Sequence, residues 1–460
     1  MGPRLKVIDN APASSIAKDG RRNFVHPADV SGKFTRIRRV VFAVLIGIYL
    51  ATPFIQVGGK PMVFLDVAHR RFHLFGASFN AHDFWLVFFL VTGVGFGLIF
   101  LTTLFGRVWC GYACPQTVFL EGVYRRVERL VEGNRNERIR RNQGPWNFDK
   151  IWRKTVKLAI FAAISVGLAH VFLAYFVSFP SMWTMVTSPP NENLEAFVWT
   201  TAFAGVTFFN FAWFREQVCL IICPYGRLQS VMTDRDTFNV AYDVKRGEPR
   251  GKAKEEGVGD CVDCRRCVQV CPTGIDIRNG LQLDCVGCAS CIDACDEVMD
   301  KLGRPRGLIR YDSPNGLEGK KRRFLRPRVW VYGAFGLLGL VVASIATSQR
   351  VPFEAHILRT AGAVFVVSDE AVRNPVRFHV VNKRDEPIVL KVEDRSDPGV
   401  ERDPVIEEIR LAPGESRYVA FMLVVKREAM RPGLRARYTL SREGERANVE
   451  IPVLGPVGRE

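Results

Sequence analysis

Five stretches of the chain contain no Asp, Glu, Lys or Arg: 40–58, 84–105, 158–178, 196–214 and 329–347. A helix rising about 1.5 Å per residue needs about 20 apolar residues to cross a hydrocarbon core, so each stretch predicts a membrane span. Beyond residue 350 the pattern shifts to short alternating runs, at 353–358, 376–381, 388–392, 418–425, 436–440 and 447–453. Turn sequences separate them, among them Lys383-Arg384-Asp385-Glu386-Pro387 and Pro413-Gly414-Glu415. Period-two runs of this length predict a sandwich of about 100 residues, immunoglobulin-like in size but without a disulfide. The expected fold is thus an α-helical polytopic membrane protein of five spans, with an inserted cysteine-rich module and a C-terminal all-β sandwich.

Charge gives this arrangement a direction. Lys and Arg number 64 against 47 Asp and Glu, a net charge of +17. Nine of the basic residues precede residue 40 and eleven lie in 107–154, whereas 179–195 has none. That alternation predicts a cytoplasmic N-terminus, a cytoplasmic 215–328 and a C-terminal domain outside, which is the periplasm in a Gram-negative inner membrane. The basic residues flank spans instead of forming one stripe interleaved with aromatics, so nucleic acid is not an expected partner. No small-residue cleavage site follows the first apolar run, so that run is expected to remain as a span. Lys245–Lys254 reads as a linker and Lys320–Arg323 as a juxtamembrane basic cluster. The domain reading is 1–39 N-terminal segment, 40–235 four-span core, 236–327 cluster domain, 328–348 fifth span and 349–460 sandwich.

The chemistry lies in the cysteines. All twelve fall between residues 110 and 295, and eight form two runs, Cys261, Cys264, Cys267, Cys271 and Cys285, Cys288, Cys291, Cys295. Both runs have the spacing C-x2-C-x2-C-x3-C. Three closely spaced thiolates hold one 4Fe-4S cluster and the fourth reaches the neighbouring one. On that crossover rule Cys261, Cys264, Cys267 and Cys295 hold the first cluster, and Cys285, Cys288, Cys291 and Cys271 the second. A structural zinc site needs only four ligands, usually on two separated knuckles, and leaves the triple spacing unexplained. Asp296 stands where the first run has Pro272, a difference that bears on potential and not on ligation.

The other four are Cys110 and Cys114 after the second stretch and Cys219 and Cys223 after the fourth, each pair C-x3-C-P. Superposing Arg107 on Arg215 nearly aligns them, which predicts that the first four spans form two related halves. Residues four apart share a helix face, so the two pairs can make a soft four-thiolate site, suited to Cu(I), zinc or iron-sulfur, or a redox pair. The plainer alternative is four small apolar residues at helix ends. His69 and His73 have i, i+4 spacing suited to a metal if their loop is helical, although hydrogen-bonded histidines are the simpler reading. Met182 and Met185 read as interfacial packing, and His170 and Asn210 as polar groups that must find partners within the bundle. No dinucleotide fingerprint is evident, so the electron donor is expected to be another protein or the membrane.

These residues together resemble the CcoG/FixG/RdxA family of membrane polyferredoxin-like cytochrome c oxidase accessory proteins. The resemblance covers nearly the whole chain. It rests on 25–39, Phe72-His73-Leu74-Phe75-Gly76, Trp109-Cys110-Gly111, Cys114-Pro115, Cys219, Cys223-Pro224, the stretch from Cys271 to Arg278, Cys291 to Asp296, and Gly307 to Tyr311. It implies reduction of Cu(II) to Cu(I) during assembly of a cbb3-type oxidase, making the chain a cupric reductase. The implied partners are oxidase assembly factors or copper chaperones and an electron donor; a homo-oligomer is compatible with the sequence, which does not set the oligomeric state. A non-catalytic electron conduit to or from quinone, and a redox sensor or assembly scaffold, are the competing readings.

Overall fold

The computed structural model describes residues 24–67, 71–79, 84–253, 255–348, 353–384 and 386–456. They divide into two compact units, one holding Phe88–Val342 with the described chain up to Phe64, the other Leu65–Val87 with the chain from Ala343.

Among the described residues four helices are long and apolar enough to cross a membrane: Trp85–Phe105, Phe148–Val177, Leu194–Phe214 and Pro327–Ser348. The first expected span differs. Its helix runs from Lys33 to Ala51, so that Lys33, Arg36, Arg38 and Arg39 occupy its opening turns. Only 12 uncharged residues remain, Val40 to Ala51, about 18 Å of helix. It stops where Pro53 follows, and the remainder of the stretch turns through Gly58 and Gly59, both at positive φ, into the hairpin Gln56–Val57/Lys60–Pro61. The Lys33 end is anchored instead. Asp293 accepts from the Thr35 backbone N–H and hydroxyl at 2.7 Å each and from the Phe34 N–H at 3.2 Å. A carboxylate there satisfies free helix N–H groups and meets the positive end of the helix dipole.

The spans pack through small residues and aromatics. A Cβ placed on Gly339 would stand 3.0 Å from Gly93 Cα, so helices Phe84–Phe105 and Pro327–Ser348 approach backbone to backbone. Tyr124 stacks on Phe211 with centroids 4.3 Å apart, meets Phe161 edge-on, and hydrogen-bonds Ser165 at 2.8 Å. Beside this core lies a buried ionic network: Glu128 pairs with Arg215, Arg138 and Lys157, and Glu132 with Lys157. Burial pushes the Glu128 carboxyl up, but Arg215, Lys157 and Arg138 outweigh it and bring it down to about 2. The network ties helix Arg125–Glu132 to the ends of two spans, which fixes the segment that carries Cys110 and Cys114.

Asn210 exchanges hydrogen bonds with Gln116, at 2.8 and 3.1 Å. Tyr225 meets Thr102 at 2.5 Å. Gln116 and Tyr225 each directly follow the proline of a C-x3-C-P motif, and each reaches the span of the opposite half. This reciprocal exchange matches the predicted internal repeat. His170 is satisfied on its own helix, by Val166 O at 2.8 Å.

The cysteine runs sit beside the antiparallel pair Asn239–Tyr242/Ile309–Asp312. In the second unit two four-membered strand paths face a common core. One is ordered Val400–Asp403, Ser416–Lys426, Ala371–Asn382, Phe353–Arg359, with Val366–Val367 added on Ala371–Asn382; the other is Glu408–Leu411, Ile388–Asp394, Arg435–Arg442, Glu445–Pro452. Phe378 packs on Phe421 at 4.5 Å and edge-on to Tyr438 at 5.2 Å in the centre of that core. His73 lies buried on the strand Arg71–Leu74, paired with Ala77–Phe79. A strand replaces the helical spacing imagined for a His69/His73 metal pair, and His69 lies outside the described residues.

Candidate iron-sulfur and thiol site

The two cysteine runs repeat one local fold. In the first, Asp263 and Arg265 flank Cys264 with φ of 49° and 52°; in the second, Gly287 and Ala289 flank Cys288 with φ of 65° and 60°. Left-handed residues on both sides of the middle cysteine curl the chain around a point. Helices Arg266–Gln269 and Ser290–Lys301 begin just afterwards and carry the third cysteine of each run.

Two cavities result. One, about 350 Å³, is lined by Cys261, Cys264, Cys267 and Cys295 with Tyr242, Met299 and Leu308. The other, about 340 Å³, is lined by Cys271, Cys285, Cys288 and Cys291 with Ile275 and Ile277, and Cys267 borders it as well. Each gathers three cysteines of one run and the last of the other. Among the described residues no three His, Cys, Asp or Glu converge as they would on a single ion. Four cysteines spread around an apolar-walled cavity fit a 4Fe-4S cluster and not a lone zinc. Burial pushes the Cys267, Cys285 and Cys295 thiols up to about 12 and raises Cys271 and Cys291 also, so thiolates there need the positive charge of iron.

Replacing Cys295 by serine is expected to alter the cluster of Cys261, Cys264 and Cys267 while the electron paramagnetic resonance signal of the other persists. A change confined to the Cys285, Cys288 and Cys291 cluster would refute the crossover.

The membrane-boundary cysteines lie in one neighbourhood without closing on a single point. Cys219 lies within electrostatic reach of Cys110, Cys114 and Cys223. Neither pair lies along one continuous helix, as the spacing had implied. Cys114 and Cys223 adopt extended backbone, ψ 126° and 109°, just before helices Pro115–Phe119 and Pro224–Met232. The following prolines disfavour the helical region at both cysteines. Gln229 lies 3.7 Å from Cys110 Sγ through Nε2. Burial pushes Cys110 up to about 11 and Cys219 to about 12, so these thiols hold their protons at neutral pH.

The second cavity adjoins this thiol group. A Cβ on Gly111 would stand 2.8 Å from Gly287 O and 2.9 Å from Cys288 N and Cα, and one on Gly287 would stand 2.9 Å from Arg107 O. Arg38 donates from Nε to Gly111 O at 3.1 Å and from Nη1 to Ser290 Oγ at 2.8 Å, pinning the two loops together. Tyr311 adds a hydroxyl on Gly287 O at 2.6 Å. Cys264, in the first cavity, is exposed. Sequence reading gave no role to Gly111, Gly287, Arg38, Ser290 and Asp293; Gly111, Arg38 and Asp293 fall inside the stretches that carry the family resemblance, and Gly287 and Ser290 offered no signal.

Residues 214–314 match the 4Fe-4S dicluster domain family, residues 84–134 a 4Fe-4S binding domain family, and residues 343–451 the family described as an IG-like fold at the C-terminal of FixG. The chain is 38% identical to Protein RdxA of Cereibacter sphaeroides over 78% of its own length and 80% of that protein. It is also 38% identical to Protein RdxB of the same organism, over 82% of each chain. Identity to the nitrogen fixation protein FixG of Rhizobium meliloti is 38%, over 79% of this chain and 77% of FixG.

Proposed function

The chain belongs to the FixG/RdxA family, and on that footing we propose that this membrane iron-sulfur electron-transfer protein reduces Cu(II) to Cu(I) for assembly of a cbb3-type cytochrome c oxidase. In this reading Cys261, Cys264, Cys267 and Cys295 hold one 4Fe-4S cluster, and Cys271, Cys285, Cys288 and Cys291 the other. A bound cluster supplies one electron at a time, which is what Cu(II) needs to become Cu(I). Cys110, Cys114, Cys219 and Cys223 form the copper site. Four soft donors favour Cu(I) over Cu(II), so binding energy is larger for the product than for the substrate ion. The copper displaces the thiol protons, and Gln229 offers a polar contact to Cys110.

The observation that carries the proposal is the backbone packing of Gly111, between Cys110 and Cys114, against Cys288. It leaves no room for a side chain between the thiol motif and the cysteine loop of the second cavity. Exposed Cys264 gives a soluble donor access at the opposite end. The charge bias supports the cytoplasmic face for both cavities and the periplasm for the sandwich. The fifth crossing that this topology needs falls to the helix Lys33–Ala51, with its basic opening turns at the cytoplasmic end. The domain bounds of the sequence reading, 1–39, 40–235, 236–327, 328–348 and 349–460, accompany this topology.

Anaerobic reduction of the detergent-purified chain, followed by titration with Cu(II) and a Cu(I)-specific chelator, tests the proposal. Stoichiometric Cu(I) formation with bleaching of the iron-sulfur absorbance is expected. Oxidation by a quinone but not by Cu(II) would make the protein a conduit instead.

A further inference from the structure

A cavity of about 700 Å³ opens between helix Lys33–Ala51, helix Arg125–Glu132 and the loop at Val270 and Pro272. Six arginines line it. Arg125 is committed to Glu121 and Glu216, Arg138 to Glu128, and Arg129 to Asp29 at 2.6 Å. The two acids that also line the cavity, Asp29 and Glu121, are thereby occupied.

Arg38, Arg39 and Arg126 are different. None has a carboxylate within ion-pair distance among the described residues. Arg38 is only 6% exposed, yet its hydrogen bonds go to neutral acceptors, Gly111 O and Ser290 Oγ. A buried cation without a counter-charge is costly. Burial, then the neighbouring charges of Arg39 and Arg129, pull the Arg126 guanidinium below its ordinary value. Arg39 and Arg126, beside an Arg38 held only by neutral acceptors and the Phe42 ring at 5.3 Å, leave a surplus of positive charge and planar donors around one cavity, suited to phosphate oxygens.

We propose that this cavity binds a phosphate-bearing anion, supplied either by the headgroup of an anionic phospholipid or by a soluble phosphate compound. Arg38 is the buried floor of the site, and Arg39 and Arg126 close its open side. The proposal does not depend on copper chemistry, because Arg39 and Arg126, the two groups replaced in its test, belong to neither the thiol set nor the cysteine runs.

Arg39 and Arg126 are exposed, so the double variant Arg39→Ala/Arg126→Ala removes charge without opening the core, and Arg39→Lys/Arg126→Lys retains it. The full chain, purified and delipidated in detergent, is titrated with phosphatidylglycerol, phosphatidylcholine and inorganic pyrophosphate while thermal unfolding is followed. The wild type is expected to be stabilised by phosphatidylglycerol or pyrophosphate and not by phosphatidylcholine. Apparent affinity is expected to fall about tenfold or more in the alanine variant, the scale of one lost charge-assisted contact. The lysine variant is expected to lie between. Stabilisation by pyrophosphate identifies a soluble ligand, and stabilisation by phosphatidylglycerol alone identifies a lipid. Equal stabilisation by phosphatidylcholine, equal affinity in the alanine variant, or no stabilisation of the wild type by any of the three would overturn the proposal.

Discussion

Serine at both Cys110 and Cys219 is expected to abolish Cu(I) formation while the absorbance and paramagnetic signals of both iron-sulfur clusters stay as in the wild type. The two residues come from opposite halves of the repeat, so the pair of substitutions cuts both contributions to the thiol group at once. A serine hydroxyl is a hard, neutral donor that keeps nearly the shape of cysteine but loses its preference for Cu(I). Changes one layer outside a metal's ligands already cost about 10–100-fold in affinity or activity, so removal of two ligands is expected to exceed 10²-fold. Neither residue borders the two cavities that collect the other eight cysteines, which is why cluster content is the internal control. Retention of wild-type Cu(I) yield would sink the thiol site, and loss of cluster signal would show that these cysteines support the fold of the cluster module.

The parts of this molecule that could be read from sequence are those written in local spacing. The C-x2-C-x2-C-x3-C runs announced two cysteine cavities, and the crossover of Cys271 and Cys295 appears in their linings. The alternation after residue 350 announced the sandwich strands. Misreadings arose where a nearby residue overrode a period. Pro115 and Pro224 pull Cys114 and Cys223 out of the helix that an i, i+4 spacing implied. Pro53 and the Gly58-Gly59 turn end an apolar run that hydropathy alone extends to residue 58. What sequence could not offer at all was tertiary. Asp293 caps a helix whose Thr35 lies 258 positions away. Arg38 joins Gly111 to Ser290, 73 and 252 positions distant. No local pattern marks one arginine of a basic flank as the clamp between two redox-bearing loops.

That clamp makes the second large effect a matter of a single methyl group. Gly111→Ala is expected to slow Cu(II) reduction by on the order of 10²-fold without removing any cysteine, because positional errors of about 1 Å in a reacting assembly cost roughly that much. The new Cβ would meet Gly287 O, Cys288 N and Cys288 Cα at 2.8–2.9 Å, all of them backbone atoms that cannot rotate aside. Relief requires the thiol-bearing turn and the cysteine loop to separate. Gly287 blocks the alternative adjustment: its φ is 65° and a Cβ there would stand 2.9 Å from Arg107 O, so the two glycines interlock. Overpacking of this kind also costs about 1–3 kcal/mol of stability, and a matched control is needed. Gly167→Ala supplies one, since a Cβ at Gly167 has no neighbour within 4 Å. Single-turnover reduction of Cu(II) by pre-reduced protein, read beside cluster absorbance, separates the outcomes. A slow Gly111→Ala variant with intact cluster absorbance and a normal Gly167→Ala variant place the rate-controlling distance at the Gly111–Cys288 contact. A Gly111→Ala variant that reduces copper at the wild-type rate would mean that the electron reaches the metal by another route, and the close packing would then be structural alone.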